Sequence, residues 1–181
     1  MGGADKAALT LGGRSLLAHA ADRLDPQVDR LAISANGDPA RFAAHHLPVL
    51  PDHAPQGPLS GLLAALDWAA PLGATHVVTV AVDTPFFPGD LVPQLLLAAE
   101  TSPAGAALAD SNGQPHPTFG LWPVTLRYDL RATLARGEAR VMDFARRHGA
   151  ATAHFPDDRA FLNLNTPEDL SAAEALLGAA P

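Results

Sequence analysis

A chain of 181 residues and 18.7 kDa, 48% hydrophobic and 17% charged, can bury a core of one domain's size and is too apolar to stay disordered. Its 12 basic and 19 acidic residues leave −7 at pH 7, which argues against general binding to nucleic acid or to anionic membranes. The absence of Cys excludes disulfides, thiolate metal sites and cysteine nucleophiles.

No apolar run approaches the roughly 18 residues of a membrane span. Met1 to Leu11 lacks the basic-then-apolar pattern of a secretory signal, so the expected location is the cytoplasm.

Met1-Gly2-Gly3-Ala4-Asp5-Lys6 opens the chain with a glycine-rich turn ending in a cation. Lys6 is the one Lys among 12 basic residues; the other 11 are Arg. Glycines let backbone N–H groups approach a phosphate, and a Lys adds a compact point charge. The segment is not a Walker A motif, and an ordinary N-terminus reads the same way.

Ser15 to Leu24 reads as a helix capped by Ser15, and Val28 to Ala35 as a strand. Asp38 followed by Pro39 opens a helix through about His45, and Pro48 to Leu50 is a short strand. After the loop Asp52 to Gly57, Pro58 opens a helix to about Ala70. His76 to Val82 is almost wholly apolar, as expected of a parallel strand covered on both faces. A helix follows from about Pro88 to Glu100.

Gly105 to Ala109 and Thr118 to Trp122 read as strands around the turn Asp110-Ser111-Asn112-Gly113, which leaves His116 in a loop. Helices are expected over Val124–Arg136 and Arg140–His148, stopped by Gly149. Ala151 to Phe155 and Phe161 to Leu164 read as strands. A last helix is capped by Thr166, Pro167 and Asp169 and runs to about Gly178.

Strands alternating with helices imply an α/β fold with crossover units and a mostly parallel sheet. Ligands of such sheets bind beyond the carboxyl ends of the strands. Asn36, Asp52, Asp83 and Asn165 all fall at expected strand ends.

Asp83, in Asp83-Thr84-Pro85-Phe86, offers a hard oxygen ligand suited to a Mg²⁺ shared with substrate phosphates, or else merely caps a turn. Gln56-Gly57-Pro58-Leu59-Ser60-Gly61 places a helix N-terminus where an anion or base edge can be met, or simply starts a helix. Asn163 and Asn165 stand two residues apart, on one side of an extended chain, as paired amides or as turn formers. His45 and His46 lack the i, i+4 spacing of a helical metal pair, and no nucleophile-elbow motif or Ser/His/Asp set is visible.

Taken in order, Gly2-Gly3-Ala4-Asp5-Lys6, Ile33-Ser34-Ala35-Asn36, Pro51-Asp52, Gly57-Pro58-Leu59-Ser60-Gly61, Asp83-Thr84-Pro85-Phe86, His116-Pro117, Arg140-Val141 and Asn163-Leu164-Asn165-Thr166-Pro167-Glu168-Asp169-Leu170 resemble the molybdenum cofactor guanylyltransferase family. The resemblance implies a three-layer nucleotidyltransferase domain over residues 1–181, akin to the nucleotide-diphospho-sugar transferases. It implies transfer of GMP from GTP to the terminal phosphate of molybdopterin, with Mg²⁺ and release of pyrophosphate.

It assigns Lys6 to the GTP phosphates, Gly2, Gly3, Asn36, Asp52, Gly57, Pro58 and Gly61 to the nucleotide, and Asp83 to the metal. His116, Arg140, Asn163 and Asn165 fall to the pterin substrate. Molybdoenzymes or their chaperones are the further partners implied. Against the family pattern the chain begins inside the glycine turn, without the apolar strand and Leu-Ala-Gly-Gly that precede it, and the expectation is a start further upstream. A cytidylyltransferase on the same pterin, a transferase for another cofactor, and a non-catalytic nucleotide- or pterin-binding protein remain alternatives.

Overall fold

The computed structural model describes residues 9–52 and 57–178. Gly2, Gly3 and Lys6 therefore lie outside the described residues. Thr10–Leu11 (β1) and Arg14–Ser15 (β2) form a small antiparallel hairpin. Its turn is Gly12-Gly13, at φ 57° and 77°, where a side chain would be strained. Ser15 then caps helix α1 (Leu16–Leu24), its Oγ accepting from Ala18 N at 3.1 Å.

Ile33–Ser34 (β3) pairs in parallel with Val49–Leu50 (β4), and the 3-10 turn Pro39–His45 between them is capped by Asp38. The strand expected over Val28 to Ala35 is paired only at these two residues, because β4 is its sole described neighbour and is itself two residues long.

Helix α2 (Pro58–Ala69) leads to β5 (His76–Thr79), α3 (Leu91–Ala99), β6 (Ala107–Ser111) and β7 (Gln114–Pro123). Next come α4 (Arg127–Ala135), α5 (Val141–Arg147), β8 (Ala151–Phe155) and α6 (Pro167–Gly178). The main sheet has the order β5-β7-β6-β8. β7 is antiparallel to both β5 and β6, and β8 is parallel to β6. Three of the four strands thus share a direction and one is reversed.

His76–Val82 is consequently not a strand with parallel neighbours: its described partner is antiparallel, and pairing ends at Thr79 opposite Gly120. His116 is likewise not in a loop but within β7. Pro115 and Pro117 disguise it. They sit where β7 has run past the end of β5, so one edge is open and a missing N–H does no harm. Phe161–Leu164 is not a strand either. Asp157 caps a 3-10 turn at Asp158–Phe161, and the chain beyond is extended but unpaired with any described strand.

Both faces of the sheet are covered, which gives the three layers. On one face Ala20 and Leu24 of α1 and Leu91, Val92, Leu95 and Ala99 of α3 bury Ala107, Ala109, Phe119 and Leu121. On the other, Leu59, Leu62 and Leu66 of α2, Leu130 of α4 and Phe144 of α5 bury Leu108 and Trp122. The alternation of Ala107 and Ala109 against Leu108 is the period of two of a strand buried on both sides.

Gly120 is required at the crossing. A Cβ there would lie 2.7 Å from Trp122 Nε1 and 2.8 Å from Leu108 Cδ2. A cleft lined by α1, α2, β3 and β5 lies between the ribbon and the main sheet.

Candidate functional site

The ends of β3 and β4 converge. Asn36 Oδ1 accepts from Asp52 N at 2.8 Å, and Asn36 Nδ2 donates to Asp52 Oδ2 at 3.3 Å. One amide thus satisfies both the backbone and the carboxylate at the tip of the ribbon. Arg41 adds a hydrogen bond to Asn36 O at 2.7 Å, with its guanidinium over the Phe42 ring.

The second carboxylate oxygen, Asp52 Oδ1, is buried and has no hydrogen-bond partner among the described residues. A buried acceptor left unmet is costly, and a ligand hydroxyl or N–H is the natural complement. Gly61, in the first turns of α2, approaches within reach of the same group. A Cβ there would be 2.5 Å from Ser34 Oγ and 3.5 Å from Asp52 Oδ1.

Gly57, at φ 83°, swings the chain into α2, where Pro58 takes the first helical position and needs no hydrogen bond. Its carbonyl accepts from Ser60 N and Ser60 Oγ. Ser34, Asp52, Gly57, Pro58 and Gly61 all line the cleft.

Val82 lines this cleft too, and Asp83 follows it in a turn closed by Thr84 N to Ala81 O. The Asp83 carbonyl accepts from Leu164 N at 2.7 Å. The buried Thr84 donates its hydroxyl to Asn163 Oδ1 at 2.5 Å. Leu164 is fully buried while Asn163 and Asn165 are exposed, and the strand expected to carry the two amides is not formed.

Asp169 then caps α6, its Oδ2 accepting from Asn165 N and Thr166 N while its own N–H bonds Thr166 Oγ1. Hydrogen bonds from Thr166 and Asn165 hold the Asp169 carboxyl below its ordinary range, led by the Thr166 side chain. Thr84 is the residue sequence reasoning missed. Its one local hint is a polar side chain just past an apolar strand, beside Asp83.

His116 stacks flat on Phe161 at 4.2 Å and meets Phe119 edge-on at 6.4 Å. Phe161 lies two residues before Asn163, so the aromatic pair joins β7 to the amide segment. Burial lowers the His116 pKa from its ordinary value, and the Asp110 charge partly offsets this. Arg140 is not in the cleft lining. It lies at the start of α5, beside a separate cavity of about 380 Å³ with Glu138, Asp143 and Arg147. Among the described residues no cluster of three or more His, Cys, Asp or Glu could cage a metal ion. No helix among them is long and apolar enough to cross a membrane.

The architecture is that of the nucleotidyltransferase class. A molybdopterin-guanine dinucleotide biosynthesis protein A from Archaeoglobus fulgidus superposes with a TM-score of 0.75 at 18% identity, covering 97% of this chain and 92% of its own. A 2-C-methyl-D-erythritol 4-phosphate cytidylyltransferase from Thermus thermophilus gives 0.69 at 19% identity, covering 96% of this chain and 94% of its own. Likenesses so remote in sequence carry the fold alone.

The chain belongs to the MobA-like NTP transferase domain family, whose profile matches residues 1–152. A molybdenum cofactor guanylyltransferase of Cereibacter sphaeroides is 64% identical over 177 residues, 98% of this chain and 90% of the relative. One of Bradyrhizobium sp. (strain ORS 278) is 48% identical over 183 residues, 97% of this chain and 86% of the relative.

Proposed function

We propose that the protein transfers GMP from GTP to the terminal phosphate of molybdopterin, releasing pyrophosphate. The observation that carries this is near-complete coverage of a guanylyltransferase at 64% identity, joined to a cleft whose Asp52 Oδ1 has no partner among the described residues. A phosphate oxygen of the acceptor attacks the α-phosphorus of GTP, and the bond to the β-phosphate oxygen breaks. The acceptor phosphate is already largely ionised near neutral pH, because a phosphomonoester's second pKa is about 6. No protein base is needed, which agrees with the absence of a Ser/His/Asp set from the sequence pattern.

In this reading Asn36 and Asp52 hold the nucleoside, and Gly57, Pro58 and Gly61 bring the α2 N-terminus alongside it. Gly2, Gly3 and Lys6 serve the phosphates by the family resemblance. His116, Asn163 and Asn165 take the pterin side, and Arg140 joins them by resemblance only. Asp83 suits Mg²⁺, which keeps most of its ligands from phosphate and water and asks few of the protein. When bound, Mg²⁺ would neutralise charge accumulating on the phosphoryl oxygens. Molybdoenzymes or their chaperones are the onward partners. The guanine relatives disfavour the cytidylyl alternative.

Asp83→Ala tests the assignment. Pyrophosphate release from GTP and molybdopterin should fall by roughly 10²–10³-fold, the usual loss for one electrostatic stabiliser. The thermal midpoint should hardly move. Turnover at the unaltered rate would remove Asp83 from the reaction. GTP binding without any turnover in the unaltered protein would favour a binding protein instead.

A further inference from the structure

Outside the groups already assigned, the sheet buries one polar contact that packing does not require. β6 presents Ala107 and Ala109 to the α3 face, both fully buried, and then Ser111 at 1% exposure on the same side. A hydroxyl where alanine would serve is unfavourable unless it is hydrogen-bonded. Its partner is His116: Ser111 Oγ lies 2.7 Å from Nε2.

The register explains the meeting. A bulge between Leu108 and Ala109 sets Ala109 opposite His116 and Ser111 opposite Gln114, so Ser111 and His116 are diagonal neighbours on one face. The ring cannot turn away, because Phe161 lies parallel to it at 8° and Phe119 meets it edge-on.

The proton has one sensible place. Ser111 Oγ has no other described side-chain or backbone partner, so its O–H is satisfied by donating to Nε2. If Nε2 carried the proton instead, the buried hydroxyl hydrogen would be left without an acceptor. On the nearby Asp110 carboxylate, Oδ1 meets Gly113 N at 3.2 Å and His154 Nδ1 at 3.1 Å.

We propose that Ser111 is a positioning residue: it locks His116 in the neutral form protonated on Nδ1, so that this ring offers an N–H donor rather than an acceptor or a cation. The role of that donor, a hydrogen bond to an acceptor atom of the pterin substrate, rests on the reading under Proposed function. The lock itself does not.

The experiment uses the full chain labelled with ¹⁵N-histidine. Long-range ¹H–¹⁵N correlations at pH 7.5 should show His116 protonated on Nδ1 and bare on Nε2, with assignment by loss of the signal in His116→Gln. Ser111→Ala should shift the population toward the Nε2–H form, and Ser111→Thr, which keeps a hydroxyl, should restore Nδ1–H. A His116 already protonated on Nε2 in the unaltered protein overturns the proposal, as does a tautomer indifferent to Ser111→Ala. In kinetics, Ser111→Ala should raise KM for the pterin about tenfold with kcat nearly unchanged. If the NMR result holds while His116→Gln leaves that KM unaltered, the lock stands and the pterin assignment of His116 falls.

Discussion

The β5-β7-β6-β8 sheet and the β3–β4 ribbon are built from similar apolar residues and end up in opposite states. In the sheet, β6 has a neighbour on each edge and helices on each face, and Trp122, Phe119, Leu121 and Phe144 are almost fully buried. The ribbon pairs over two residues only, packs Ile33 against Leu17 and Phe42, and borders the cleft. The polar residues proposed to hold the nucleotide sit on the ribbon and on the first turn of α2. The filled sheet supplies rigidity, and the residues proposed to hold the nucleotide lie at its border with the ribbon.

The comparison predicts unequal costs for truncation. Trp122→Ala removes a side chain with 1% exposure that packs on Phe144 and bonds Thr79 Oγ1 through Nε1. It should cost about 3–5 kcal/mol in urea unfolding, as large core aromatics do. Ile33→Ala removes a smaller side chain from a smaller cluster, with Leu17 and Phe42 as its buried partners. Its cost should sit near about 2 kcal/mol, the bottom of the range for such truncations. Equal losses at the two sites would mean that the ribbon is as tightly packed as the sheet, and would erase the distinction.

Sequence patterns reveal local devices well and neighbours poorly, and the same two regions show why. The caps at Ser15, Asp38 and Thr166, and the stop at Gly149, are readable because each depends on residues within one helical turn. The convergence of Asn36 and Asp52 is anticipated by the rule about strand ends. Strand direction is different. An apolar run such as His76–Val82 says that two faces are covered, but says nothing about which way the adjoining strand runs. β7 is hidden for a second reason: its prolines and His116 look like loop, and only the early end of β5 makes them admissible in a strand. The bond from Thr84 to Asn163 spans 79 positions and has no local signature.

Gly61 tests whether that border, rather than the packed sheet, governs ligand binding. In Gly61→Ala the added Cβ collides with Ser34 Oγ and crowds Asp52 Oδ1, while the helix gains up to about 1 kcal/mol from losing a glycine. These effects oppose each other in stability, so the unfolding free energy should change by less than about 1 kcal/mol. GTP affinity, by titration calorimetry, should nonetheless weaken about tenfold, equal to about 1.4 kcal/mol. Adding Ser34→Ala removes the collision and should recover most of that loss. A single variant that loses stability and keeps its affinity would place the nucleotide elsewhere than beside Asp52.

The smallest effect lies where the sheet meets the amide segment, at His116. Its pKa is lowered in the folded protein chiefly by burial, against an ordinary value of 6.5. Above that value both folded and unfolded chains carry a neutral ring, and its contribution to stability is complete. As pH falls through 6.5 the unfolded chain takes up the proton first, so stability declines until the folded ring also protonates at its lowered pKa. His116→Gln should therefore flatten the dependence of unfolding free energy on pH just below 6.5, while the slope at higher pH stays as it was. A variant with an unchanged acid slope would assign the titration to another group and would show that the Phe161 and Phe119 bracket leaves this ring as free to protonate as one in solvent.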